Sequence, residues 1–233
     1  MLYWSGLRTA RVQGAGGRRR EMSGMREFER CEVVLMVAAV VLAGGASKRM
    51  GRDKLALRLD GHTMLESVLT RFGEEFENVY MSVADAEKYP DVKASRIVDI
   101  LAGAGPMSGL HAALTSLPDD GVFLVAADLP YACPQTARRL IDLSGDCDIG
   151  IIRLPDGKFE PLFGFYRKAV LPLCTELIKS GNYRMSELFS KARIRFIDPV
   201  ELGGLWDEKL ITNINYPEDY EMVVADKNTL LVL

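Results

Sequence analysis

The residues best suited to chemistry form one loop, LAGGASKRMGRDK, which runs from Leu42 to Lys54. Two adjacent glycines, Gly44 and Gly45, follow an apolar run and precede four cations within seven residues. Glycine lets backbone amides approach a ligand closely, and cations neutralise anionic charge. The loop therefore has the composition that a polyphosphate requires, with Arg49 and Lys54 as candidates to hold β- and γ-phosphate oxygens.

Two well-known phosphate-binding motifs do not fit this loop. A P-loop requires GxxxxGK followed by Ser or Thr, whereas Gly45 is followed by Gly51 and then by Arg52 and Asp53. A dinucleotide-binding fingerprint requires GxGxxG, which the loop also lacks. What remains is a strand, a glycine turn and a basic loop. The alternative to a phosphate-binding loop is a charged surface loop exposed to solvent.

Asp128 is the candidate metal ligand. It follows the apolar stretch GVFLVAA, which predicts a buried strand, so the carboxylate is expected at the carboxyl end of the sheet, where ligands bind. A single carboxylate suits Mg²⁺, which takes one or two protein ligands together with waters and phosphate oxygens. The alternative is a structural Asp that caps the turn before Leu129 and Pro130.

Asp99 ends the predicted strand RIVDI and is the candidate for reading the base. Its carboxylate can accept hydrogen bonds from the N1–H and the exocyclic amine of guanine, a pair of donors that adenine and cytosine do not offer in this arrangement. The backbone from Leu42 to Gly44 would pack against that base. A cap at the end of the strand is the alternative role for Asp99.

The composition excludes several other classes of chemistry. The chain of 233 residues is 48% hydrophobic and 26% charged, as expected of a globular protein with one sizeable α/β core. Only His62 and His111 are histidines, too few for a histidine metal cluster or a Ser-His-Asp triad. The four cysteines are scattered without a CxxC pair, which favours a reduced, cytoplasmic protein.

Strand-like apolar runs alternate with amphipathic helical patterns along residues 33–225. This alternation predicts one α/β domain with three layers, in which a mainly parallel, twisted sheet of Rossmann-like type is covered on both faces. The predicted strands are Val33–Leu42, Asn78–Ala84, Arg96–Ile100, Gly121–Ala127, Asp148–Leu154 and Phe159–Tyr166, and the predicted helices are Thr63–Phe72, Pro106–Leu117, Pro134–Leu143 and Lys168–Lys179. Residues 226–233 are expected to be a tail.

Residues 1–32 stand apart from this domain. Their first 30 residues hold seven arginines and three glutamates without a hydrophobic period, which predicts a disordered basic extension, or a chain that natively starts at Met36. Export or membrane anchoring is not expected, because the apolar run Val33–Ala43 has only eleven residues. Nucleic-acid binding is also not expected, because the extension lacks interleaved aromatic residues and the rest of the chain is acidic.

Five blocks of sequence together resemble one known family. The loop LAGGASKRMGRDK, GPMSGL at Gly105–Leu110, AADLP at Ala126–Pro130, EPLFGFY at Glu160–Tyr166 and NINYPEDY at Asn213–Tyr220 are similar, in order, to blocks of the molybdenum cofactor guanylyltransferases. This resemblance implies transfer of GMP from Mg-GTP to molybdopterin, with release of pyrophosphate. It also implies Mg²⁺ as cofactor, and molybdoenzymes or other cofactor-biosynthesis proteins as partners.

The residues and the resemblance together give a set of candidate site residues. The catalytic candidates are Arg49, Lys54 and Asp128; the nucleotide-binding candidates are Leu42, Ala43, Gly44, Gly45, Lys54, Asp99 and Asp128; the metal candidate is Asp128; and the acceptor candidates are Arg184, Asn213 and Asn215. The two asparagines are expected to alternate along a strand, with their amides on one side. Lys48 and Arg52 occupy variable positions of the loop and are expected to be surface residues.

Two other functions remain open at this point. A cytidylyl- or sugar-phosphate nucleotidyltransferase would use the same loop, Lys54 and Asp128 without needing Asp99. A non-catalytic relative would bind the nucleotide without releasing pyrophosphate.

Overall fold

The computed structural model describes residues 35–44, 50–51, 53–59, 61–101 and 103–230, with side chains up to Asp226. These residues belong to one compact unit that begins at Leu35. The predicted basic extension, residues 1–32, lies outside the described residues, as do Gly45, Lys48, Arg49 and Arg52 of the loop. Within the described part, no helix is both long enough and apolar enough to cross a membrane.

The described residues form nine strands and seven α-helices. The strands are β1 Val37–Leu42, β2 Arg58–Leu59, β3 His62–Thr63, β4 Val79–Val83, β5 Ser95–Val98, β6 Gly121–Ala126, β7 Ile149–Arg153, β8 Phe159–Arg167 and β9 Ile194–Ile197. The helices are α1 Met64–Gly73, α2 Pro106–Ser116, α3 Pro134–Ser144, α4 Leu171–Lys179, α5 Met185–Phe189, α6 Pro199–Leu202 and α7 Pro217–Leu230. Single 3₁₀ turns cover Lys54–Ala56, Lys168–Val170, Gly203–Leu205 and Glu208–Ile211.

Seven of the strands form one sheet in the order β5-β4-β1-β6-β8-β7-β9, and β2 pairs with β3 in a separate hairpin. Strands β5, β4, β1 and β6 are mutually parallel, and β9 is parallel to β7. Strand β8 runs antiparallel to both of its neighbours, β6 and β7. The predicted α/β fold with a mainly parallel sheet is therefore confirmed, with one reversed strand inside it.

Helices cover both faces of the sheet and produce two apolar cores. Ala39 and Val41 of β1 pack in the core that contains side chains of α1 and α3, whereas Ala38 and Val40 pack in the core with α2 and α4. Every second residue of a strand points to the same face, so a strand covered on both sides must be apolar throughout. This requirement explains the uninterrupted apolar runs of β1 and β6.

The helix starts follow from local chemistry. Thr63 and Glu66 form a capping box at the start of α1, and Pro106 and Pro134 occupy the first positions of α2 and α3. The predicted helix Lys168–Lys179 begins as a 3₁₀ turn and becomes α4 only at Leu171. Helix α7 continues to Leu230, past the expected domain boundary at residue 225.

Candidate active site

A cavity of about 380 Å³ opens at the carboxyl ends of the parallel strands. Its walls include Leu42 at the end of β1, Ala84 just after β4, Asp99 just after β5 and Ala126 at the end of β6. Open parallel sheets bind their ligands at this edge, because the strands end there and the helices begin there. The cavity therefore lies where the strand pattern predicted a site.

Lys54 and Asp128 meet at one end of this cavity. The Nζ of Lys54 donates a hydrogen bond to Oδ2 of Asp128 at 2.5 Å and another to the carbonyl oxygen of Ile214 at 2.8 Å. It also lies 3.4 Å from Oδ1 of Asn215. The backbone N–H of Ile214 donates to the carbonyl oxygen of Asp128 at 3.1 Å. One ammonium group therefore links the turn after the basic loop, the end of β6 and the segment before α7.

Asp99 lies at the other end of the cavity. Its backbone N–H donates to the carbonyl oxygen of Val83 at 2.9 Å, and its Oδ1 accepts a hydrogen bond from Oγ of Ser82 at 2.9 Å. Burial raises the pKa of the Asp99 carboxyl, while the hydrogen bond from Ser82 opposes that rise. The carboxylate is thus partly buried and held by the hydroxyl of Ser82.

The sheet order sets the separation between the two carboxylates. Asp99 follows β5 and Asp128 follows β6, and β4 and β1 lie between those strands. Three spacings between neighbouring strands amount to about 14 Å. This length suits a nucleotide that lies across the strand ends, with its base at one carboxylate and its phosphates at the other.

Glycines keep the Asp99 end of the cavity open. A Cβ atom at Gly109 of α2 would lie 2.7 Å from Cδ2 of Leu42 and 2.7 Å from Oγ of Ser82. Gly105, which immediately precedes α2, has φ = 59°, a conformation that favours glycine. The GPMSGL block thus provides a tight turn into α2 and a smooth helix face beside Asp99.

The structure brings most of the predicted nucleotide-binding residues together. The residues of that set that line the cavity are Leu42, Gly44, Lys54, Asp99 and Asp128. Ala43 is fully buried, and its N–H donates to the carbonyl oxygen of Ser82 at 2.9 Å, so it supports the wall without forming its surface. Gly45 and Arg49 lie outside the described residues, and their predicted roles stay predictions.

The three acceptor candidates are placed differently from one another. Asn215 contacts Lys54, whereas Asn213 is exposed, and Arg184 is exposed at the start of α5 and does not line the cavity. The strand expected through Asn213 and Asn215 is wrong. The segment between the two asparagines bonds to the side chain of Lys54 and the backbone of Asp128 rather than to a neighbouring strand. The predicted alternation of side chains is still observed, because Ile214 between the two asparagines is buried.

Two residues near the site were not among its predicted members. Ser82 donates to Asp99, yet an isolated serine in a strand carries no motif of its own. Glu160 belongs to the EPLFGFY block but was assigned no role; its Oε1 accepts from the N–H of Leu162 at 3.0 Å, and Leu162 lines the cavity. Burial raises the pKa of Glu160, and the negative charge of Asp128 raises it further. The antiparallel register of β8 against β6, with Phe163 opposite Val125, brings Glu160 to the end of β6 that precedes Asp128.

Comparison with known proteins decides the family. The model of the family described as "MobA-like NTP transferase domain" matches residues 39–195. The chain belongs to this family. A curated relative named probable molybdenum cofactor guanylyltransferase, from Pelotomaculum thermopropionicum, is 30% identical over 187 residues, which cover 80% of this chain and 91% of the relative. A relative of the same name from Carboxydothermus hydrogenoformans is 28% identical over 189 residues, which cover 81% of this chain and 95% of the relative.

A solved structure shares the fold. The crystal structure of molybdopterin-guanine dinucleotide biosynthesis protein A from Archaeoglobus fulgidus superposes with a TM-score of 0.71 at 22% sequence identity. The match covers 82% of this chain and 99% of that protein. The family expected from the five sequence blocks is confirmed, and the chain is a nucleotidyltransferase of the MobA-like type.

Proposed function

We propose that this protein transfers GMP from Mg-GTP to molybdopterin, forming the guanine dinucleotide cofactor and releasing pyrophosphate. The names of its curated relatives support this function. The structural observation that carries it is that one cavity is lined at one end by Asp99 and at the other by Lys54 and Asp128. The spacing of about 14 Å between the two ends supports a nucleotide whose base lies at Asp99 and whose phosphates lie at Lys54 and Asp128.

The base end of the cavity suits guanine. The carboxylate of Asp99 has two oxygens, and two acceptors match the N1–H and the exocyclic amine of guanine. Leu42 and the bare helix face at Gly109 offer apolar surface against which the ring can pack. Adenine presents an acceptor at N1 and no amine at C2, so it would leave the carboxylate without these partners, which is costly in a partly buried site.

The phosphate end fits a divalent cation held by few protein ligands. In the described part of the chain, no group of three or more His, Cys, Asp or Glu residues is arranged to hold a metal ion. Mg²⁺ needs no such cage, because it binds through one or two carboxylates, waters and substrate phosphates. Asp128 is the proposed ligand. The bound ion would neutralise charge on the phosphates and on the leaving pyrophosphate.

The transfer itself requires orientation and charge neutralisation. A phosphate oxygen of molybdopterin attacks the α-phosphorus of GTP, and the bond from that phosphorus to the oxygen bridging the β-phosphate breaks. Lys54 already lies beside Asp128. Together with Arg49, it is proposed to stabilise the negative charge that develops on the phosphates during transfer. Asn215 is proposed to help orient the acceptor phosphate, and Arg184 and Asn213 are weaker proposals for the same substrate.

The proposed setting is the cytoplasm. Cys133, Cys147 and Cys174 are free thiols in the described part of the chain, which supports a reducing compartment. GTP and molybdopterin are the proposed small-molecule partners, and proteins of molybdenum cofactor biosynthesis or molybdoenzymes are the proposed macromolecular ones.

The test is Asp128→Asn, measured by pyrophosphate release from Mg-GTP and molybdopterin at equal nucleotide saturation. The substitution keeps shape and hydrogen bonding but removes the charge, so turnover is expected to fall by roughly 10²-fold or more while folding and nucleotide binding persist. Asp142→Asn, on the exposed side of α3, is the matched control and should turn over as wild type does. Equal rates for Asp128→Asn and wild type would contradict the proposed role of Asp128.

A further inference from the structure

Ser82 is a buried hydroxyl at the edge of the cavity. It is the last but one residue of β4 and is 2% exposed, yet it contributes to the cavity wall. Buried hydroxyl groups in proteins are nearly always hydrogen-bonded. The partner here is Oδ1 of Asp99, to which Ser82 donates at 2.9 Å. The Ser82 hydroxyl therefore donates its hydrogen to the carboxylate that is proposed to bind the base.

Gly109 of α2 creates the space for this hydrogen bond. A Cβ atom at position 109 would lie 2.7 Å from Oγ of Ser82, and Oδ1 of Asp99 would be 3.7 Å away. A larger residue would displace the hydroxyl. The neighbouring Ser108 donates from its Oγ to the carbonyl oxygen of Leu101 at 2.7 Å and so fixes the chain just after Asp99. The orientation of the carboxylate is thus set from both β4 and α2.

The side chain that donates a hydrogen bond to the Asp99 carboxylate in the described part of the structure is Ser82. Burial raises the pKa of the Asp99 carboxyl, and the hydrogen bond from Ser82 lowers it. Among the described residues, no charged side chain from β4, β5 or α2 contributes to this balance. The hydrogen bond from Ser82 therefore favours the ionised form of Asp99. A protonated carboxyl would present a hydrogen to the two donors of guanine and would lose at least one of the two bonds.

We propose that Ser82, in the space left by Gly109, is the positioning residue for guanine selectivity: its hydroxyl orients the Asp99 carboxylate toward the N1–H and the exocyclic amine of the base. The proposal rests on the proposed function, since it takes GTP as the nucleotide. It adds to that function a residue that acts on the base only through Asp99.

The experiment is isothermal titration of the full chain with Mg-GTP and with Mg-ATP. Ser82→Ala is expected to weaken GTP binding by about tenfold, the value of one hydrogen bond to a charged group, and to leave ATP binding unchanged. The pH at which GTP binding is half lost on acidification is expected to rise, because the carboxyl then protonates more readily. Ser95→Ala, at an exposed serine in β5, is the matched control and should change neither quantity.

A double-mutant cycle separates positioning from packing. In the Asp99→Ala background, where the preference for GTP over ATP is expected to be lost, Ser82→Ala should have no further effect on GTP binding. The proposal is overturned if Ser82→Ala weakens GTP and ATP equally, if it changes nothing, or if its effect persists without Asp99. A wild type without preference for GTP would instead contradict the proposed function. A preference for GTP that Ser82→Ala leaves intact would contradict this inference alone.

Discussion

Lys54 offers the sharpest test of how the active site is held together. Its ammonium group bonds to the carboxylate of Asp128 and to the carbonyl oxygen of Ile214, so one side chain ties the basic loop to β6 and to the segment before α7. Lys54→Met keeps most of the aliphatic stem and removes the charge. The carboxylate and the carbonyl oxygen then lose this donor.

The exposure of the pair sets the expected cost. An exposed ion pair contributes about 0–1 kcal/mol, whereas removal of one partner of a buried pair costs about 3–5 kcal/mol. The side chains of Lys54 and Asp128 are 15% and 21% exposed, which places the pair between these limits. We expect Lys54→Met to lower the free energy of unfolding by about 2 kcal/mol.

Urea unfolding measures this cost, and the chain contains a matched control. Lys158 forms an ion pair with Asp156 at 2.7 Å, but the two side chains are 79% and 52% exposed. Lys158→Met should therefore change the free energy of unfolding far less than Lys54→Met does. In a cycle with Asp128→Asn, the coupling between Lys54 and Asp128 should be about 1 kcal/mol. Equal costs for the two lysine substitutions, or a coupling near zero, would refute the reasoning.

Three further predictions concern stability. A chain that starts at Met36 should melt within a few degrees of the full chain and bind nucleotide equally well, because the compact unit begins at Leu35 and only this one partly buried residue of it is removed; a large drop in melting temperature would contradict this. Glu160→Gln should raise the melting temperature near neutral pH: burial and Asp128 raise the pKa of this carboxyl, so its ionised form costs stability above the ordinary pKa, and the amide oxygen can still accept from Leu162. A decrease would mean that the charge stabilises the fold. Gly150→Ala should cost about 1–3 kcal/mol in urea unfolding, because its Cβ would lie 1.8 Å from Oγ of Ser144, whereas Gly73→Ala, which meets nothing within 4 Å, should be nearly neutral.

The elements that could be predicted are those whose burial or boundaries are visible in a short stretch of sequence. The apolar runs of β1 and β6 and the prolines that open α2 and α3 gave boundaries within a few residues of those observed. The short elements α5, α6 and β9 have four or five residues each, which is too few for a hydrophobic period to emerge. Their place in the fold follows from tertiary packing, which no single stretch of sequence contains.

The contacts between site residues were harder to predict than the identity of those residues. Lys54 and Asp128 were both identified from their local motifs, but they are 74 residues apart in sequence, and nothing local indicates that they contact each other. Asn215 is 161 residues from Lys54, and its contact depends on where the segment before α7 returns to the sheet. The chemistry of each residue type was readable from sequence, whereas the pairings depend on the strand order.

The reversed strand β8 shows how that order shapes the site. In a sheet with all strands parallel, the first residues of β8 would lie at the edge opposite to the cavity. Because β8 runs antiparallel to β6, with Phe163 opposite Val125, the residues before Phe163 lie beside those that follow Val125. Glu160 and Leu162 are thereby brought next to Asp128, which is why Leu162 lines the cavity and Asp128 raises the pKa of Glu160. The EPLFGFY block thus belongs to the active site through the direction of one strand, a property that its own residues do not encode.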